Sequence, residues 1–89
     1  MNNTQLKKFC DLYNDSDYEA FVFLQKNDLC TSEEQKTELE IVLLENQLIY
    51  DYNSEDINED YYHNRKYNLL KSLGVTFNDM GEAICKEDN

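Results

Sequence analysis

Three cysteines, one histidine and nineteen carboxylates are the side chains of this 89-residue chain with nucleophilic or metal-ligating chemistry. Cys10, Cys30 and Cys85 are odd in number, lack CxxC spacing and follow no apolar leader of signal-peptide length, a pattern that describes reduced thiols in a cytosol. His63 stands alone among Tyr61, Tyr62 and Asn64, so a zinc site would have to recruit cysteines from unrelated segments. An isolated histidine in such surroundings is ordinarily a packing residue. Asp51, Asn53, Glu55 and Glu59 fall at ligand positions of a calcium loop, but Asp56 stands where that loop needs glycine and Tyr62 where it needs a bidentate glutamate. The segment therefore reads as a solvated acidic run. No GxSxG, P-loop, GxGxxG or HExxH pattern is present, and the acids are too numerous for one pair to stand out as a catalytic dyad. Neither enzymatic activity nor a cofactor is expected.

The informative cluster is aromatic. Tyr50, Tyr52, Tyr61, Tyr62 and Tyr67 bracket the acidic run, interleaved with Asp51, Glu55, Asp56, Glu59 and Asp60. Tyrosine joins a large apolar body to a polar tip at low entropic cost, which suits it to binding surfaces. Rings beside carboxylates can pair with arginine and stack on its guanidinium. The expected partner-binding residues are Tyr50, Asp51, Tyr52, Glu55, Asp56, Glu59, Asp60, Tyr61 and Tyr62. A blander reading stands beside this one, in which two or three of the tyrosines cap the core and the acids solubilise the surface.

The net charge of −11 favours the same kind of partner. A negative field repels phosphate backbones and anionic lipids, so direct binding of nucleic acid or membrane is disfavoured, and it attracts basic protein surfaces. Residues 9–60 hold fifteen acids and two bases, while residues 61–89 hold four of each, so the acidic face belongs to the first two thirds. The longest apolar stretches, Ala20 to Leu24 and Ile41 to Leu44, are far short of a bilayer span. The location expected is the cytoplasm of a bacterial host or a virus-infected cell. A chain of this length builds one core and gains from association, so a homodimer is allowed.

The elements that must carry these residues are mainly helical. A single domain over 1–89 is expected, a bundle of four to five short helices with room for one short β-hairpin and a frayed tail over 86–89. Thr4 caps a first helix to about Tyr13, on which Leu6, Phe9, Cys10 and Tyr13 share a face. Ser16 or Asp15 caps the next, where Ala20 to Leu24 are apolar on nearly every side. Thr31 and Glu34 match a capping box opening a third helix. Residues 39–52 suit either its continuation or a hairpin turning at Glu45-Asn46-Gln47. After the acidic connection, Asn53 or Ser54 caps a helix whose Tyr62, Arg65 or Lys66, Leu69, Leu70 and Leu73 recur at helical spacing, with Gly74 as a left-handed stop. Asn78 then caps a last turn through Met80, Ala83 and Ile84.

Two segments carry a local likeness. Leu43-Leu44-Glu45-Asn46-Gln47-Leu48-Ile49 resembles the end of a recognition helix leading into a strand in winged-helix proteins, and Phe77-Asn78-Asp79-Met80-Gly81-Glu82-Ala83-Ile84 is similar to the capped turn that often follows the wing. That resemblance implies a degenerate winged-helix-like α+β fold and a transcription regulator, with Arg65, Lys66 and Lys71 as the basic cluster. In size, charge and composition the chain is also similar to phage counter-defence factors such as anti-CRISPR proteins and DNA mimics. The leading expectation is an inhibitor or decoy that occupies the basic, nucleic-acid-binding surface of a partner protein. The alternative is an immunity or antitoxin protein neutralising a basic toxin, which colicin-type immunity proteins resemble in size and acidity.

Overall fold

The computed structural model of the chain describes residues 1–84. Four helices are followed by a two-stranded antiparallel hairpin: α1 (Asn3–Asp15), α2 (Asp17–Lys26), α3 (Glu33–Tyr50), α4 (Glu59–Ser72), β1 (Thr76–Phe77) and β2 (Ala83–Ile84). The protein is mainly helical, as the apolar spacing predicts. Among the described residues no helix is long and apolar enough to cross a membrane.

Side-chain caps set most of the boundaries. Asn2, rather than Thr4, caps α1, and the Gln5 side chain returns the bond to the Asn2 backbone. Ser16 closes α1 and opens α2 in one extended residue, so the two helices meet at a sharp corner with no loop. The capping box of α3 falls one residue later than Thr31 and Glu34, at Ser32 and Gln35. Gln35 wins because its carboxamide oxygen accepts from the backbone N–H of both Thr31 and Ser32, a reciprocal contact that Glu34 does not make. Asn58, not Asn53 or Ser54, caps α4, its Oδ1 accepting from the backbone of Asp60 and Tyr61. Asn53 instead takes a left-handed turn (φ 51°) within the connection, a conformation asparagine tolerates better than most residues.

The core lies where α1, α2, α3 and α4 converge. Phe9, Ala20, Phe21, Leu24, Val42 and Leu70 are fully buried there, so the apolar run of α2 does lie at the centre. Cys10 is disulfide-bonded and Cys30 is a buried free thiol, so the expectation of reduced thiols fails at Cys10. Cys85 and the tail expected over 86–89 lie outside the described residues.

Residues 39–50 are helix throughout, and the hairpin alternative turning at Glu45-Asn46-Gln47 is corrected. The polar residue that suggested a turn, Asn46, points inward and donates from Nδ2 to Tyr62 Oη at 2.7 Å, which satisfies it inside the helix. No strand follows Leu43 to Ile49, so the winged-helix likeness does not extend to the fold. The hairpin lies instead over 76–84, where a last helical turn is predicted. Asn78 is a capping residue here too, but its Oδ1 accepts from Met80 and Glu82 to close a loop in which Gly81 supplies a left-handed turn (φ 79°). Asn14 then clamps β2 to α1 through paired bonds with the backbone of Ala83, at 2.9 and 3.1 Å.

Candidate functional site

The connection between α3 and α4 holds the predicted residues on one short stretch. Asp51 caps the C-terminus of α3, the Ser54 backbone N–H reaches back to the Leu48 carbonyl at 2.8 Å, and half-buried Ile57 anchors the segment on the core. Glu59 and Asp60 occupy the first turn of α4, where the helix dipole favours them. All five carboxylates from Asp51 to Asp60 are exposed. Three large rings are exposed with them: Tyr50 at 52%, Tyr52 at 74% and Tyr61 at 69%.

Tyr62 differs from the other predicted residues. It is fully buried, so it cannot meet a partner and belongs to the core. Helical geometry explains the difference, because adjacent residues of α4 point to different faces and Tyr62 takes the inward one. Its ring meets that of Tyr50 edge-on at 6.3 Å, and the exposed face is thereby fastened to the interior. Burial raises the Tyr62 phenol above its ordinary range, and burial also raises Tyr50, with the carboxylates of Asp17 and Glu59 adding to the effect.

Beneath the face runs a polar chain. Asn46 donates to Tyr62 Oη, which donates to Asp17 Oδ2 at 3.1 Å, and Lys66 Nζ stands 3.7 Å from the same oxygen. Lys66 is buried, its ammonium 5.0 to 5.5 Å from the ring centres of Tyr13, Tyr62 and Tyr67. Such a cage replaces water by ring quadrupoles. Burial still lowers the Lys66 ammonium below its ordinary value, while Asp17 pulls the other way.

Two clefts flank the face. One, of about 570 Å³, lies between the start of α2 and the end of α3 and is lined by Asp15, Ser16, Asp17, Tyr18, Asn46, Tyr50 and Asp51. It extends the acidic surface to residues that sequence reasoning missed, because Asp15 and Asp17 lie more than thirty positions from Tyr50 and only the helix corner at Ser16 brings them together. The other, of about 550 Å³, lies between α3 and α4, with Tyr61, Glu38 and Arg65 on its walls. Arg65 Nη1 donates to both oxygens of Glu38, at 3.0 and 3.3 Å. Arg65 Nε also stands 3.0 Å from Glu45 Oε1, an ion pair without hydrogen-bond geometry.

Three of the basic residues are thus committed. Lys66 is buried, Arg65 bridges two glutamates, and Lys36 lies within 4 Å of Asp28 and Glu33. Of the cluster a transcription regulator would need, only Lys71 is exposed. Among the described residues no three His, Cys, Asp or Glu side chains stand together as metal ligands. No family model matches the chain, and neither a curated protein nor a solved structure matches it.

Proposed function

We propose that this protein binds a cationic partner protein through the tyrosine and carboxylate face of residues 50–61, and that the surface it covers is a basic, nucleic-acid-binding one. In that role it is an inhibitor or decoy of the counter-defence or DNA-mimic type, its carboxylates standing where phosphates would lie. The observation that supports this most is the shared exposure of Tyr50, Tyr52 and Tyr61 with Asp51, Glu55, Asp56, Glu59 and Asp60. Large rings left in water beside charges of one sign are anchors that recover their desolvation energy on binding. The commitment of Arg65 and Lys66 to internal partners supports a protein partner over a nucleic acid, since few free cations oppose the negative field.

The test begins with affinity capture from the native host and identification of what co-purifies. Replacing Glu55, Asp56, Glu59 and Asp60 by lysine is expected to slow association with the captured partner by about tenfold or more at low salt, with dissociation little changed and helicity intact by circular dichroism. An association rate that ignores both the four substitutions and added salt removes the electrostatic basis of the proposal. Tight binding of duplex DNA in a gel-shift titration would replace it with the regulator.

A further inference from the structure

The outer side of α3 is apolar where a surface helix is ordinarily polar. Leu39, Val42 and Ile49 turn inward and are buried, while Ile41, Leu44 and Leu48 recur at intervals of three and four on the outer part of the helix. We propose that this outer strip, with the groove it forms against α2, is the docking surface for one basic amphipathic helix of the partner protein. The proposal rests on the reading of the neighbouring tyrosine and carboxylate face as a surface for a cationic protein, and it names the element that the partner brings.

Three observations carry it. First, Leu44 is 57% exposed and Ile41 and Leu48 beside it are only half-buried, so the strip is left partly in water. A helix that is apolar on both sides is ordinarily covered on both. Second, the strip has shape. Leu43 and Leu44 line a groove of about 290 Å³ together with Tyr18 and Val22 of α2, which gives room for an apolar side chain of a segment laid along α3. Third, the rim is acidic. Glu40 stands on the wall of the groove one turn before Leu44, Asp51 lies two turns after it, both are exposed, and among the described residues no cation pairs with either. That charge decides between occupants. A second copy would set these acids against their own kind and bring together two net charges of −11, and an anionic membrane would meet the same repulsion. Lysines or arginines flanking an apolar stripe meet complementary charge instead.

The spacing selects a helix over an extended segment. Ile41, Leu44 and Leu48 run along α3 for two turns, about 10 Å, and a second helix presents its side chains at the same repeat, so the ridges of one can enter the grooves of the other. An extended segment would need a strand edge to bond to, and the hairpin sits on α1, where Asn14 holds it. Beyond Leu48 the chain delivers the exposed rings of Tyr50 and Tyr52, so the strip and the tyrosine face are continuous. The probe is a fluorescently labelled peptide of leucine and lysine, about fourteen residues long with its leucines at helical spacing, titrated by anisotropy. It is compared with a peptide of the same composition in strict alternation, and with the helical pattern carrying glutamate in place of lysine.

The wild type is expected to bind the helical lysine peptide about tenfold more tightly than the alternating one, and the glutamate peptide not measurably. The backbone amide resonances of Ile41, Leu44 and Leu48 should shift on binding. Leu44→Ser should weaken the helical lysine peptide by about tenfold and Leu44→Met by less than about twofold. Because Leu44 is largely exposed, both variants should remain folded by circular dichroism. Equal affinity for the two lysine patterns, or no response to Leu44→Ser, overturns the strip yet leaves the cationic partner standing. A wild-type dimer in sedimentation that Leu44→Ser dissolves gives the strip to a second copy and overturns it too. Conversely, a helical preference that survives while the captured partner associates equally fast with the four-lysine variant upholds the strip and removes the electrostatic face.

Discussion

Tyr62 Oη donates to Asp17 Oδ2 across 3.1 Å while accepting from Asn46 Nδ2 at 2.7 Å, so one phenol joins α2, α3 and α4. Phenylalanine would keep the ring and lose both bonds. Because Asn46 is buried, its Nδ2 would then lose its protein partner. Tyr62→Phe is expected to destabilise the protein by about 2 kcal/mol, measured by urea unfolding. A change below about 0.5 kcal/mol would mean that the network is not formed in solution.

The ion pair of Lys66 with Asp17 is unequal in its surroundings, and the two single substitutions should differ accordingly. The Lys66 side chain is 6% exposed and that of Asp17 is 27% exposed. Asp17→Asn strands a buried ammonium whose remaining support is three aromatic rings, at an expected cost of about 2 kcal/mol. Lys66→Met keeps the apolar stem and leaves a carboxylate that water can reach, so stability should change by less than about 1 kcal/mol. Equal costs for the two variants in urea unfolding would contradict this asymmetry.

Alkaline pH should expose the buried phenols. Burial raises Tyr13 and Tyr62 above their ordinary value, so between that value and the folded one the native state holds protons that the unfolded chain has released. Their contribution is complete below about pH 10 and is lost as pH rises beyond it. Lys66 acts with the opposite sign. Its lowered value means that the unfolded chain binds the extra proton just below the ordinary lysine range, which adds stability as pH rises there. Two buried phenols outweigh one ammonium, so the urea midpoint is expected to fall steeply above about pH 10, and less steeply in Tyr62→Phe. A midpoint that stays level through that range would show that the phenols are hydrated.

Much of the helical order was legible because it is local. The inward face of Phe9, Cys10 and Tyr13, the Ser16 cap and the Gly74 stop (φ 92°) all depend on neighbours within a turn or two. The polar interior was not legible, since Asn46 reads as a turn former until Tyr62 is placed against it, sixteen residues away. The hairpin was hidden for the same reason. Its strands are two residues each, too short for a periodic signal, and β2 is held by Asn14 from the far end of the chain. At the candidate site, the exposed acids and three of the rings were readable from composition, whereas the inward turn of Tyr62 and the arrival of Asp15 and Asp17 beside Tyr50 depend on tertiary packing.

The two described glycines offer a test of that hairpin, because both have positive φ but different surroundings. A Cβ at Gly74 (φ 92°) would meet nothing within 4 Å, so Gly74→Ala should cost only the left-handed backbone strain, about 1 kcal/mol. A Cβ at Gly81 (φ 79°) would lie 3.0 Å from Tyr67 Oη. That hydroxyl can yield only by turning a ring that packs edge-on against Phe77 at 4.9 Å and lies 5.0 Å from the Lys66 ammonium. Gly81→Ala should therefore carry the same strain plus a disturbance of the hairpin and the lysine cage, about 2 kcal/mol in all. Urea unfolding of the two variants side by side checks the ranking, and a Gly81 variant no weaker than its Gly74 counterpart would show that the hairpin tip does not rest on α4.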